Sequence, residues 1–103
     1  MAQALKLATL VTSGPGQYRL QGTITFRDQP PEALWRAPLA PAEGRAVVDL
    51  SGLDHSDSVA LALLVEWDRL ASLGGYQLRV VHVPERLQDL IRVYGLTKLF
   101  GPA

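Results

Sequence analysis

The stretch Arg45-Ala46-Val47-Val48-Asp49-Leu50-Ser51-Gly52-Leu53-Asp54-His55-Ser56-Asp57-Ser58-Val59-Ala60-Leu61-Ala62-Leu63-Leu64 changes character twice. Its first part, Arg45 to Leu50, is a short apolar run that suits a central strand buried on both sides. Ser51 to Asp57 is rich in Ser, Gly and Asp and reads as a loop. From Ser58 a helical pattern continues to Leu73 and meets Gly74-Gly75, a C-terminal stop signal. Leu78 to Val83 reads as the next strand. Strand, loop, helix and strand in this order make a crossover unit, so the spacing predicts two parallel strands with a right-handed connection.

Toward the N-terminus, Leu5 to Val11 alternates loosely and runs into Thr12-Ser13-Gly14-Pro15-Gly16, a strong turn signal. Tyr18, Leu20, Gly22, Ile24 and Phe26 then recur at spacing two, with Arg19, Gln21, Thr23 and Thr25 between them. That is the period of a strand with one buried face, and the two segments together read as an antiparallel hairpin. Pro30-Pro31-Glu32-Ala33-Leu34-Trp35 opens a short helix, which Pro38 and Pro41 stop early. Toward the C-terminus, Pro84 sets the first turn of a last helix. Its Leu87, Leu90, Ile91 and Tyr94 fall at helical spacing before Gly95 ends it. Leu96 to Phe100 is expected to pack back as a short apolar tail. The order β-β-α-β-α-β-α predicts an α/β fold: a mixed sheet with an N-terminal hairpin, covered by about three helices.

Length and composition bound the function. At 103 residues the chain suits one domain, expected over residues 1–103, with a real core but little stability to spare. Apolar residues are 48% and charged residues 19%, a balance that folds rather than staying disordered. Ten basic residues against ten acidic ones give no overall electrostatic reason to expect nucleic acid or an anionic membrane as a direct partner. Without cysteine there is no disulfide, thiolate nucleophile or Cys-ligated zinc. Met1-Ala2-Gln3-Ala4-Leu5-Lys6 does not open a signal peptide. The longest apolar run, Val59 to Val65, is far short of the roughly 20 residues that span a bilayer. A soluble, cytoplasmic protein is the expectation.

The candidate site lies where the central strand hands over to the long helix. In parallel α/β units, loops and helix N-termini gather at the carboxyl ends of the strands, and ligands sit there. Ser56, Asp57 or Ser58 is placed to cap the helix. A phosphate on Ser58, the candidate phosphoacceptor, would meet free N–H groups and the positive end of the helix dipole. At about 100° per residue, Val59, Leu63, Leu64, Trp67 and Leu70 share the side that should face the sheet. Ser58, Leu61, Ala62, Val65 and Arg69 fall opposite, where an exposed helix would be polar. An apolar stripe there is either a partner-facing surface or one covered by the proline-rich segment or the C-terminal tail.

Other chemistry is poorly supported. His55, Asp57 and Ser58 have the membership of a catalytic triad, but no G-x-S-x-G elbow is present, and residues this close in sequence rarely converge correctly. No catalytic residue is therefore assigned. His55 and His82 do not form a ligand set by spacing, so no metal or cofactor is expected. Gly14-Pro15-Gly16 lacks the helix and lysine of a phosphate loop. Trp67 points coreward by phase, and Trp35 either packs on it or lies exposed.

Val48-Asp49-Leu50-Ser51, the Asp57-Ser58 pair, the apolar helix and the closing Tyr94-Gly95-Leu96-Thr97-Lys98-Leu99-Phe100 together resemble the STAS domain family, over nearly the whole chain. That family includes sulphate-transporter tails and bacterial anti-sigma factor antagonists. Within it the sequence looks most like the stand-alone STAS subunits of Mla-type phospholipid ABC transporters. The resemblance implies a non-enzymatic accessory subunit that binds the transporter's cytoplasmic ATPase and supports its assembly or activity, peripheral to the inner membrane through that partner. It implies neither nucleic-acid binding nor direct insertion into the membrane. On this reading Ser58, Leu61, Ala62 and Val65 dock on the ATPase, with Asp54, His55 and Asp57 at the rim. The alternative within the family is an anti-sigma factor antagonist regulated by phosphorylation. The family's regulatory hydroxyl maps onto Ser58 and the preceding acid onto Asp57. One position departs from the pattern: the glycine usual two residues after the hydroxyl is Ala60, whose methyl is expected to narrow access to Ser58. A lipid carrier with a pocket between sheet and helices ranks last, because a core of this size is expected to be filled.

Overall fold

The computed structural model describes residues 7–36 and 39–97. Four strands, β1 (Thr9–Gly14), β2 (Gln17–Ile24), β3 (Arg45–Ser56) and β4 (Gln77–Val81), form one sheet in the order β1-β2-β3-β4. Helix α1 (Glu32–Trp35) links β2 to β3, α2 (Ser58–Leu73) links β3 to β4, and α3 (Glu85–Val93) follows β4. β1 and β2 are antiparallel, while β2–β3 and β3–β4 are parallel. This is the mixed α/β sheet with an N-terminal hairpin and three helices that the sequence predicts.

The hairpin turn is tighter than its composition suggests. β1 continues through Thr12, Ser13 and Gly14, and only Pro15 and Gly16 turn, so the turn-rich run is largely strand. Leu5 lies outside the described residues. β2 ends at Ile24, because Thr25 to Asp28 closes on itself: Thr25 N–H donates to the Asp28 carbonyl (3.1 Å) and Asp28 N–H to Thr25 Oγ1 (3.0 Å). Phe26, expected on the buried face, is therefore lifted to the tip of this turn and is 79% exposed.

The largest departure is at Ser51 to Asp57. All but Asp57 are strand and not loop; β3 runs on to Ser56 because β2 offers a parallel partner as far as Ile24↔Ser56. The pairing is irregular, with register shifts between Arg19 and Gln21 and between Gly22 and Thr23. Glycine makes that crossing feasible. A Cβ on Gly52 would lie 2.7 Å from Gln21 Cβ, and one on Gly22, whose φ is +103°, would lie 2.5 Å from the Leu7 carbonyl oxygen. β3 is central, as expected, but it buries one face only: Ala46, Val48 and Leu50 are buried while Val47 and Asp49 are half-buried. At its other end β4 stops at Val81, short of Val83, because His82 takes φ +53° and breaks the extended run.

One hydrophobic cluster joins the inner face of the sheet to the helices. It holds Leu20 and Ile24 of β2, Val48 and Leu50 of β3 and Leu78 of β4. Leu63, Leu64 and Trp67 of α2 and Leu87 and Ile91 of α3 complete it. Two polar contacts, one of them buried, tie the proline-rich segment to this core. Trp67 Nε1–H donates to the Leu34 carbonyl at 2.6 Å, and Tyr18 Oη accepts from Ala40 N–H at 2.6 Å. A buried indole without such a partner would cost about 1–3 kcal/mol, so α1 is placed where Trp67 needs it. Leu96 packs against the cluster as predicted, whereas the rest of the expected apolar tail, from residue 98, lies outside the described residues. Among the described residues, no helix is long and apolar enough to cross a membrane.

Candidate partner-docking site

Helix α2 begins under the control of one carboxylate. Asp57 is the N-cap, and its Oδ1 accepts from Val59 N–H at 2.8 Å. Its Oδ2 accepts from Phe26 N–H, also at 2.8 Å, so the same side chain fixes the turn after β2. The Asp57 carbonyl accepts from Ala60 N–H at 3.0 Å, and Asp57 N–H donates to the Ile24 carbonyl at 3.2 Å. Both carboxylate oxygens are thus spent on backbone, and neither is turned toward a histidine. Ser58 follows as the first helical residue, exposed to solvent.

The helical phase is partly corrected by the fold. Leu63, Leu64 and Trp67 are buried as predicted, whereas Val59 and Leu70 are only half-buried. Leu61, placed on the outward stripe, is 4% exposed and belongs to the core. The reason is coverage: α1 and the chain after α3 lie over that flank of α2, bringing Trp35 and Leu96 against it. The cover is incomplete. Ser58, Ala62 and Arg69 stay exposed and Val65 half-exposed.

What remains is a groove of about 530 Å³ lined by Trp35, Ser58, Leu61, Ala62, Val65, Glu66, Tyr94 and Leu96. Leu61 forms part of its floor, and Tyr94, 61% exposed, stands at its edge. Among the described residues, Glu66 is the only charged one lining it, and its carboxylate is engaged by Arg69 through Nε (2.8 Å) and Nη2 (2.7 Å). That fork holds the Glu66 carboxyl below its usual range. An apolar trough with an aromatic rim and a neutralised carboxylate suits a protein side chain or helix better than a small polar substrate.

The structure divides the predicted site in two. Ser58, Leu61, Ala62 and Val65 line the groove, but Asp54, His55 and Asp57 line a separate cleft of about 500 Å³ beside Thr23, Asp28 and Arg86. The division follows from the unexpected length of β3, which carries Asp54 and His55 along the sheet rather than round to the helix face. His82 lies elsewhere again, with Nδ1 3.1 Å from Asp49 Oδ1. The alternative in which the proline-rich segment or the C-terminal tail covers the stripe is met in part, by Trp35 and Leu96, whereas Glu66 and Tyr94 were not expected at this surface. The usable signal was Tyr94-Gly95-Leu96, where Gly95 at φ +69° turns the chain back over α2.

Two expectations about Ser58 also change. Ala60 is 1% exposed, so its methyl points into the core and does not narrow access to the hydroxyl. The N–H groups that a phosphate on Ser58 was expected to find are partly taken, since Val59 and Ala60 both donate to Asp57. A phosphate there would also sit beside the Asp57 carboxylate, where like charges repel.

A protein-family model described as "Mlab, STAS domain" matches residues 11–101, from within β1 to beyond α3. No curated protein matches the chain. The match takes in β2, the β3–α2–β4 crossover and the groove residues described above, and by it the chain belongs to the STAS domain family.

Proposed function

We infer that the protein is a non-enzymatic accessory subunit of an Mla-type phospholipid ABC transporter, docking on the transporter's cytoplasmic ATPase through the α2 groove. The observation that carries this reading is the groove itself: an open apolar trough along Ser58, Ala62 and Val65, bounded by Trp35 and Tyr94. Solvent-facing helices gain nothing from such a surface, whereas interfaces are built from buried apolar and aromatic anchors inside a polar rim. The description of the matching family model points the same way. On this reading the chain sits in the cytoplasm, held at the inner membrane by its partner, and supports lipid transport by helping the transporter assemble or work.

Leu61 is a poor place to test this, because it is buried and Leu61→Asp would unfold the chain. Ala62 is exposed and lines the groove. Ala62→Arg and Ser58→Asp are each expected to weaken co-purification with the ATPase more than about tenfold, with far-ultraviolet circular dichroism unchanged. Full binding by both variants would refute the docking role.

The exposed Ser58 hydroxyl keeps the anti-sigma factor antagonist as a second reading. The Val59 and Ala60 N–H groups already bonded to Asp57, and the adjacent Asp57 carboxylate, favour a constitutive contact over a phosphorylation switch. Incubation with ATP and a cognate kinase should leave Ser58 unmodified by mass spectrometry; stoichiometric phosphate on Ser58 would make the switch the better reading.

A further inference from the structure

The balanced net charge conceals an uneven distribution. Among the described residues, Arg36, Arg69 and Arg92 each pair with an acid on their own helical stretch, Glu32, Glu66 and Asp89. Arg19, Arg45 and Arg79 make no salt bridge with any described residue, and all three project from the face of the sheet that the helices leave open. The register puts them close together. Val11, Arg19, Asp49 and Val81 form one row across all four strands, Gln17, Val47 and Arg79 the next, and Arg45 pairs with Gln77 beyond it. Strands lie about 4.8 Å apart and adjacent rows about 7 Å, so Arg19 on β2 and Arg79 on β4, one row apart, emerge about 12 Å from each other. Arg79 Nε is buried and has no hydrogen-bond partner among the described residues. Asp49 is the one acid in these rows, and it is already engaged, accepting from Ser51 N–H at 2.8 Å and facing His82.

We propose that this open face docks an acidic protein segment, with carboxylates on the guanidinium groups of Arg19, Arg45 and Arg79. The charge is of the right sign, and arginine forks grip carboxylates in pairs. Side chains on one side of an extended segment recur about every 7 Å, so carboxylates two and four residues apart bracket guanidinium groups about 12 Å apart. Val47 lies between the arginines and Val11 and Val81 flank them, giving apolar contact that a layer of lipid headgroups would not use. The described rows hold no aromatic side chain on which nucleic-acid bases would stack. A second copy of this chain would bring the same positive face against itself. The face lies across the sheet from the α2 groove, so it is available whether or not the groove is filled.

The test is an NMR titration of the full chain with a capped peptide of alternating glutamate and serine long enough to cross four strands. Amide shifts are expected at Arg19, Val47 and Arg79 and their neighbours, fading as salt is raised past about 0.1 M. The double variant Arg19→Gln/Arg45→Gln, both exposed positions, should bind at least about tenfold more weakly. Adding Arg79→Gln should remove binding, and Ala62→Arg should leave it unchanged, which separates this face from the groove. Shifts confined to α2, no shifts at all, equal binding by the double variant, or equal binding of the matching glutamine–serine peptide would overturn the proposal. So would tighter binding of this face to phosphatidylglycerol vesicles or to a single-stranded oligonucleotide.

Discussion

At the β3–α2 junction one carboxylate, Asp57, caps the helix and holds the neighbouring turn. At the β4–α3 junction, the chain bends through His82 at φ +53° and opens the helix on Pro84, with no side-chain cap. The first solution spends hydrogen bonds on position: Phe26, Ile24, Val59 and Ala60 are all tied to one residue, which fixes where Ser58 emerges. The second spends conformational restriction, since proline's locked φ begins a helix without any partner. The contrast separates a junction that must present a side chain accurately from one that must only turn the chain. α2 carries the proposed docking groove, and α3 mainly supplies Leu87 and Ile91 to the core.

Three tests probe that contrast. Asp57→Ala removes the cap and the bond to Phe26, a loss of about 2 kcal/mol by chemical denaturation. Asp57→Asn restores the cap but offers no second acceptor to Phe26 N–H, so it should recover about half of that loss. Equal stability of the two variants would show that the cap contributes nothing, and wild-type stability in Asp57→Asn would show the same of the Phe26 bond.

The second is a titration. The Asp49 carboxyl lies below its usual range, chiefly because it accepts from Ser51 N–H, with His82 beside it at the β4 junction. A carboxyl lowered in the folded state adds stability above its unfolded value, near pH 4, and loses it as pH falls through the lowered folded value. Denaturation measured from neutral pH downward should therefore show a loss below about pH 4 that Asp49→Asn reduces. An unchanged profile would mean that the contacts of Asp49 do not help to hold this junction. Asp49→Ala at neutral pH is expected to cost about 1 kcal/mol, the worth of one hydrogen bond.

The smallest effect belongs to Pro84→Ala. It should cost about 0.5 kcal/mol, mostly through a freer unfolded chain, and leave the docking proposed for the α2 groove untouched. A loss as large as that of Asp57→Ala would erase the distinction between the junctions.

Periodicity made most of the architecture legible. The alternation of β2, the phase of Leu63, Leu64 and Trp67, and the stop at Gly74 all survive in the structure because burial on one face writes itself directly into spacing. The errors share a cause of another kind. Ser51 to Ser56 looks like a loop because its residues are turn formers, yet it is strand because β2 lies beside it. Such long-range pairing overrides local preference. Leu61 looked outward for the same reason: its cover comes from Trp35 and Leu96, far away in sequence. The site was readable as a helix start with an apolar flank. Cover by the proline-rich segment or the tail was readable only as one of two alternatives, since segments distant in sequence are brought together by the fold. Nor did a balanced net charge betray the three arginines, which gather only through strand register.

The two tryptophans stand on opposite sides of that boundary. Trp67 is wholly enclosed, its indole N–H held by Leu34, while Trp35, the next residue along from Leu34, is half-buried and lines the groove. Their emission should differ in wavelength and in access to a soluble quencher. A single fluorescence experiment thus reads two things from the unlabelled protein: loss of blue emission follows unfolding, and protection of the red component from iodide follows occupancy of the groove.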